Sequence, residues 1–289
     1  MKNYFLQNDI ISGEKFQGLC GISISKKEHK KFELPFAHNS VDVDSFDFTN
    51  YNNPPLVYCN SSLFNRHKPK LLESDIVGKL NQFTNKFDLV LHNSDQNFDE
   101  EFLDILHIKN LNRVFAQNCN LEHSRFVPLP IGIANSVWPW GVAGLVSAAS
   151  KYHITKSEFI YYNFTQEGGL RPAFREDCAK VAHKLKLPES NSEPFYLYLK
   201  NLGRHKFCLC PSGNGLDTHR LWECLYLRVI PIVVDSSFIR HFSSLFPMVV
   251  LDSWEHLDLT SLESIYERAD WSNNYLLEFD EYIKYIQLK

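Results

Sequence analysis

Short apolar runs alternate with helical or loop segments along the first half of the chain. Four runs have the length and the Val, Leu, Ile and Phe content of buried strands: residues 56–59, 87–92, 114–118 and 126–131. Between the first two, Leu72, Ile76, Leu80 and Phe83 recur at helical spacing within residues 71–84. Residues 99–107 are also predicted to be helical. Strands separated in this way favour a parallel sheet covered by helices.

The second half repeats the pattern after a stretch rich in small residues, and we place a domain boundary at 136–155. The predicted elements are a strand at 159–163, a helix at 175–187, a strand at 206–210, a helix at 218–228 and a strand at 230–235. The chain is helical again from Ser261. The sequence therefore predicts an α/β protein with two parallel layers.

Polar residues gather where the predicted strands of the first half end. The clusters are Asn60 to Ser62, His92 to Asp95, Gln117-Asn118 and Gly132. In open α/β sheets the ligand crevice lies at the carboxyl ends of the strands. These clusters are therefore candidate site residues.

Composition narrows the class of protein. Of the 289 residues, 44% are hydrophobic and 22% are charged, which is the balance of a globular protein with a core. The formal net charge of −4 argues against a nucleic-acid partner. The seven cysteines form no C-x-x-C pair and are expected to be reduced and buried. The sequence shows neither a signal-peptide core nor an apolar window long enough to span a membrane, so we expect a soluble cytoplasmic protein.

The segment 210–232 carries the strongest chemical signal. Gly213 and Gly215 allow a tight turn, and Asp217 is placed to cap a helix beginning at Thr218. A helix N-terminus is a seat for phosphate. On this helix Arg220 suits a diphosphate and Glu223 suits ribose hydroxyls, although the same pair also fits a plain crossover with a surface ion pair. The loop is neither G-x-G-x-x-G nor a Walker motif.

Residues 213–232, G-N-G-L-D-T-H-R-L-W-E-C-L-Y-L-R-V-I-P-I, resemble the nucleotide-sugar motif of exostosin-like glycosyltransferases. The chain departs from that pattern at Cys224, where Ala is common, and at Arg228, where Gly is usual. The segments 92–95, 115–118 and 129–135 also resemble short soluble members of the family. This chain looks like a microbial or large-virus member of the family, and the resemblance suggests xylosyltransferase as one candidate activity.

The resemblance implies two Rossmann-like domains facing a cleft, the GT-B architecture. Residues 1–150 would bind the acceptor and residues 151–265 the donor, with a C-terminal helix at 266–289 packing back on the first domain. The implied reaction is inverting transfer from a UDP-sugar, UDP-xylose among the candidates, to a glycan hydroxyl. No metal and no cofactor are expected, and the partners are the donor and the glycan acceptor.

Inverting transfer needs a base for the acceptor hydroxyl and a group that stabilises the leaving diphosphate. For the base we favour Asp95, then Asp75, with His92 orienting Asp95. Capping and turn roles remain open for the two aspartates. The predicted donor-binding residues are Asn163, Arg171, Arg175, Ser212, Gly213, Asn214, Gly215, Asp217, Thr218, His219, Arg220 and Glu223.

The predicted acceptor-binding residues are Asn118, Asn135, Trp138 and Trp140. Sugars stack their C–H faces on aromatic rings, but each tryptophan could instead lie in the core. Two other functions stay open from the sequence. One is a nucleotide-sugar epimerase or hydrolase with the same layout, and the other is a non-catalytic glycan or nucleotide binder.

Overall fold

A computed structural model describes residues 9–25, 40–44, 55–64, 75–164, 172–188 and 193–288. The chain is an α/β protein with two parallel sheets, one of six strands and one of four. Their order along the chain differs. In the first sheet the second strand is added on one side of the first strand and all later strands are added on the other side. In the second sheet each new strand is added on the same side.

The six-stranded sheet has the order β2-β1-β3-β4-β5-β6, and every pair in it is parallel. Its strands are β1 (Ile22–Ser25), β2 (Ser40–Asp42), β3 (Leu56–Asn60), β4 (Phe87–His92), β5 (Leu111–Gln117) and β6 (Phe126–Leu129). The helices of this half are α1 (Gly13–Leu19), α2 (Asp75–Leu80) and the 3-10 helices Ser61–Leu63 and Glu100–His107. This is the doubly wound pattern in which ligands bind at the carboxyl ends of the strands.

The four-stranded sheet has the order β10-β9-β8-β7 and is parallel throughout. Its strands are β7 (Glu158–Tyr161), β8 (His205–Leu209), β9 (Ile230–Val234) and β10 (Val249–Leu251). The helices are α3 (Ala143–Lys151), α4 (Pro172–Lys184), α5 (Phe195–Gly203), α6 (His219–Tyr226), α7 (Ser237–Ser243), α8 (Leu259–Glu267) and α9 (Phe279–Ile286). The 3-10 helices Trp254–His256 and Ser272–Leu277 flank α8.

Each sheet carries apolar side chains on both faces. Successive side chains of a strand point to opposite sides, so each strand contributes to both. In β3, Val57 and Cys59 join a cluster that covers one face, whereas Leu56 and Tyr58 join the cluster on the other face. The second cluster continues through Trp222 into the four-stranded half. A third cluster covers the opposite face of the smaller sheet. The two halves therefore share one continuous apolar core.

The last helix, α9, packs on the first half of the chain. The Tyr282 hydroxyl donates to the Pro128 carbonyl oxygen at 3.0 Å. The Phe279 ring lies 5.2 Å from the Phe16 ring of α1, and the Phe279 N–H donates to the Asp9 carbonyl at 2.6 Å. The end of the chain thus returns to the first half.

The strand predictions are confirmed to within a few residues at each end, and the predicted helices at 175–187 and 218–228 correspond to α4 and α6. The helix predicted at 71–84 is shorter, since α2 ends at Leu80. Residues 100–107 form a 3-10 helix. The polar-aromatic N-terminal region hid α1, β1 and β2, because their periodicity is too short to stand out from the surrounding polar residues.

Candidate functional site

The loop between β8 and α6 lies on the carboxyl ends of β4 and β5. The Leu216 N–H donates to Asn97 Oδ1 at 3.1 Å, and the Asp217 N–H donates to Asn118 Oδ1 at 2.8 Å. Asn97 follows β4, and Asn118 follows β5 with a left-handed φ of 53°. The predicted donor loop is therefore held by the polar strand ends of the other half.

Two glycines of this loop lie against close side-chain neighbours. A Cβ on Gly215 would lie 2.6 Å from Asn118 Nδ2, and a Cβ on Gly213 would lie 2.9 Å from Arg175 Nη2. The Gly213 N–H also donates to the Gly215 carbonyl at 3.1 Å, which closes the turn. The side chains of Asn118 and Arg175 thus approach the loop backbone directly.

Asp217 joins the two halves and does not cap α6 as predicted. Its Oδ2 accepts from the Ile131 N–H at 2.6 Å, and its Oδ1 accepts from Trp222 Nε1 at 2.8 Å. The N-cap residue of α6 is Thr218, whose side chain makes no capping hydrogen bond. Burial raises the pKa of the Asp217 carboxyl to about 7, outweighing the donors that favour its ionised form.

The side chains of Arg175 and Arg220 lie close to each other beside the loop of 213–217. Arg175 comes from α4 and Arg220 from the first turn of α6, and both are half-buried. Burial lowers the pKa of the Arg175 guanidinium, and the nearby positive charge of Arg220 lowers it further. Two cations that repel each other beside a glycine turn favour the binding of an anion between them.

Glu223 is buried and does not form the surface ion pair that we considered. Its Oε2 accepts from the Tyr198 hydroxyl at 2.6 Å, and Arg220 lies 5.9 Å from the centre of the Tyr198 ring. Burial raises the pKa of the Glu223 carboxyl against the opposing effects of Tyr198 and Arg220. At the end of β7, Asn163 donates to the Tyr161 hydroxyl at 3.0 Å. Two tyrosines, Tyr198 and Tyr161, therefore hydrogen-bond to the predicted residues Glu223 and Asn163.

Asp95 is exposed in the turn after β4 and faces the loop of 213–217. Its Oδ2 accepts from Asn214 Nδ2 at 3.1 Å. His219 is held by the Gly132 carbonyl, 2.9 Å from His219 Nδ1. Burial lowers the pKa of His219, and the charge of Asp95 partly opposes that effect. The structure thus brings together three predicted residues: Asp95, Asn214 and His219.

His92 does not orient Asp95 as predicted, because both of its ring nitrogens are engaged elsewhere. Nε2 lies 3.1 Å from the Pro130 carbonyl, and Nδ1 accepts from the Asn93 N–H at 2.9 Å. Nε2 therefore carries the proton. Burial lowers the pKa of His92 to about 4, so the imidazole is neutral at physiological pH.

Asn135 belongs to a buried hydrogen-bond network at the end of β4. Its Nδ2 donates to Asn93 Oδ1 at 2.8 Å, and its Oδ1 accepts from the Glu14 N–H at 3.0 Å. The Glu14 carboxylate in turn accepts from the Ser136 hydroxyl at 2.8 Å. These bonds fix α1 against the sheet, so Asn135 has a structural role here.

Trp138 and Trp140 form a stacked pair at the surface. Their ring centroids are 5.5 Å apart and their planes differ by 12°. The two residues retain 38% and 46% of their exposure. The core alternative for them is wrong, since both side chains are exposed.

The remaining predicted residues are more scattered. Asp75 is exposed at the first residue of α2, and no hydrogen bond in the described part of the chain joins it to the donor loop. The Ser212 hydroxyl donates to the Leu216 carbonyl at 3.3 Å, inside the loop. Arg171 lies outside the described residues.

A cavity of about 600 Å³ lies at the opposite ends of the strands. It is lined by residues 149–156 and by residues 226–228 together with Tyr266, Ala269 and Trp271. These segments precede β7 and β9. The loop of 213–217 and the side chains around it lie at the other end of the sheet, and no predicted residue lines this cavity.

Sequence reasoning missed several residues that build the site. Tyr198 bonds to the predicted residue Glu223 and Asn97 bonds to Leu216 inside the loop, but neither stands in a recognisable motif. Asn93 lies within the predicted cluster from His92 to Asp95 but has no predicted role, and its left-handed φ of 59° is one that an asparagine directly after a buried strand readily takes.

No model of a known protein family matches the chain, and no curated protein matches it either. Among the helices of the described ranges, none combines the length and apolar character needed to cross a membrane.

Proposed function

We propose that the chain is an inverting, metal-independent glycosyltransferase of GT-B architecture, which moves a sugar from a UDP-sugar to a glycan hydroxyl. One observation carries the proposal. The glycine loop of 213–217 and the arginine pair of Arg175 and Arg220 adjoin the carboxyl end of one sheet, and Asp95 faces that loop from the other sheet.

The diphosphate would bind beside Gly213, with Arg175 and Arg220 neutralising its charge. Because α6 begins at His219, directly after this loop, the positive end of its helix dipole would add to the attraction for an anion. Glu223 would accept from the ribose hydroxyls, with Tyr198 holding its carboxylate in place. Such groups are fixed before the reaction, so they stabilise the leaving diphosphate without reorganising.

Asp95 would take the proton of the acceptor hydroxyl as that oxygen attacks the anomeric carbon. The new C–O bond forms on the face opposite the departing diphosphate, so the configuration inverts. The exposed position of Asp95 leaves room for an acceptor. Trp138 and Trp140 would stack on the glycan.

Thermal shift with UDP, GDP and their sugars tests the donor site, because a ligand at one hundred times its Kd stabilises a protein by about 2.7 kcal/mol. We expect UDP-sugars to raise the melting temperature and Glu223→Gln to abolish that shift. Glu263→Gln, on the exposed face of α8, is the matched control and should keep it. The absence of a shift with every nucleotide and nucleotide-sugar would overturn the proposal.

UDP release separates transfer from the two alternatives. A transferase releases UDP only when an acceptor glycan is present, whereas a hydrolase releases it with water alone and an epimerase releases none. A binder shows the thermal shift without turnover. Proton NMR of the product then shows whether the anomeric configuration has inverted.

A further inference from the structure

Three cysteine thiols meet where β8 ends against α6. Cys208 lies in β8, Cys210 follows that strand, and Cys224 lies in α6. Their Sγ atoms all lie within 4.8 Å of one another, and the Sγ atoms of Cys210 and Cys224 are 3.8 Å apart. The three side chains are buried. We call this group the thiol triad.

The secondary structure explains the convergence. Cys208 and Cys210 are two residues apart, so both point to the face of the strand that packs against the shared core. Cys224 lies one helical turn after Leu221 and next to Leu225, on the apolar face of α6. One strand edge and one helix face therefore supply three sulfurs to a single point.

The spacing fits sulfurs around one metal ion. At a metal–sulfur distance of about 2.3 Å, two thiolates of a tetrahedral site lie about 3.8 Å apart. The separation of Cys210 and Cys224 matches this value. Thiolate ligands select soft ions such as Cu⁺ and Zn²⁺.

Arg220 supplies the charge that such a site needs. Its Nε is buried and has no hydrogen-bond partner among the described residues, and its positive charge acts on Cys208 and Cys210. Three thiolates leave a net charge of −1 with Zn²⁺ and −2 with Cu⁺, and the Arg220 guanidinium offsets one unit of negative charge in either case. A buried charge without such a partner would be costly.

We propose that the thiol triad binds one thiophilic d¹⁰ metal ion, Zn²⁺ or Cu⁺, which ties the end of β8 to α6. Binding releases the thiol protons to solvent and forms three metal–sulfur bonds, with no change of oxidation state. The ion would be structural, since its three ligands lie inside the core. It would set the distance between the donor loop and α6 whatever reaction the chain performs.

The test begins with the metal content of the full chain, purified under reducing conditions without chelator. Elemental analysis should find about one zinc or copper per chain. Cys224→Ala and Cys210→Ala should each reduce that content several-fold. Cys178→Ala is the matched control, because Cys178 is also buried in the second half but lies in α4, and it should keep the metal.

Titration of the metal-free, reduced chain with Co²⁺ provides a second measurement that does not depend on which ion survives purification. A triad of thiolates should give an intense sulfur-to-cobalt charge-transfer band that Zn²⁺ or Cu⁺ removes. Competition between those two ions then identifies the preferred one. The far-ultraviolet circular dichroism of each variant shows whether it is folded, and Cys210→Ser repeats the test if an alanine variant is not.

Three results would overturn the proposal. The first is a wild-type chain that holds no metal and shows no cobalt band. The second is an equal loss of metal in Cys178→Ala. The third is a mass lower by two hydrogens that maps to a Cys210–Cys224 disulfide in the chain purified without reductant, together with no metal uptake after reduction.

Discussion

The side-chain amide of Asn118 lies directly against Gly215, in the space that a Cβ would fill. Its Nδ2 and Oδ1 are 2.6 and 2.7 Å from that Cβ position, and the same Oδ1 accepts the Asp217 N–H. One asparagine at the end of β5 thus fixes the loop of 213–217 of the other half. The contact explains why a glycine is needed at this point in the loop.

Gly215→Ala should destabilise the protein by about 1–3 kcal/mol, because the added methyl group collides with a buried amide that is held by two hydrogen bonds. Gly144→Ala is the control. Gly144 lies in α3 with nothing within 4 Å of its Cβ position, so alanine there should stabilise by about 0.5–1 kcal/mol. Urea unfolding measures both, and equal effects would contradict the role of Asn118.

Arg228 has a φ of 53°, a left-handed conformation that follows the end of α6. Glycine adopts it without the steric cost of about 1–2 kcal/mol that a side chain incurs. Arg228→Gly should therefore raise the free energy of unfolding by about 1 kcal/mol. Arg204→Gly, at the right-handed C-cap of α5, should instead lower it. A stability loss in Arg228→Gly would show that its side chain outweighs the strain.

His92 should make the protein sensitive to acid. Its pKa falls from 6.5 to about 4 on folding, so the unfolded chain binds a proton that the folded chain excludes between these values. Stability is then complete above pH 6.5 and is lost as the pH falls towards 4, by about 3 kcal/mol.

Denaturant unfolding at pH 7 and at pH 4.5 tests this effect. His92→Gln keeps a donor for the Pro130 carbonyl but cannot titrate, so it should lose less stability between the two pH values than the wild type. His256→Gln, at an exposed site, should behave like the wild type. An unchanged pH dependence in His92→Gln would rule out His92 as the cause.

Asp95→Asn should abolish sugar transfer and leave UDP-sugar binding intact, because the substitution keeps the shape of the side chain but removes the base. Steady-state rates and the UDP-sugar thermal shift measure the two effects. Asp104→Asn is the control, because Asp104 is an exposed aspartate of the 3-10 helix Glu100–His107 whose described ion-pair partner is His107. Transfer by Asp95→Asn at the wild-type rate would exclude Asp95 as the base, and Asp75 would be tested next.

Trp138→Ala and Trp140→Ala should each raise the KM for the acceptor by about two- to tenfold, since an aromatic stacking contact contributes about 0.5–1.5 kcal/mol. The KM for the donor should not change. Tyr275→Ala removes another exposed ring, outside the proposed acceptor site, and should change neither constant. A change in donor KM alone would place the tryptophan pair in a different role.

The sequence by itself determined the strands and their polar ends, because period and composition are local properties. Residues 87–92 and 230–234 are strands as their apolar runs predict, and the loop of 213–217 falls between strand and helix. The shared core and the packing of α9 on α1 are properties of distant contacts, which no local pattern encodes. The same holds for the choice of partners by Asp217, which bonds to Ile131 and Trp222 where the local sequence predicts a cap.

The cysteines show the same division most clearly. Their type and spacing predict burial, and all seven are buried. Only the tertiary structure brings Cys224 to Cys208 and Cys210, because the helix must first fold back over the end of its strand. Only that folding, too, turns Trp138 and Trp140 outward as a stacked pair. Burial follows from the chemistry of a residue, whereas proximity follows from the path of the whole chain.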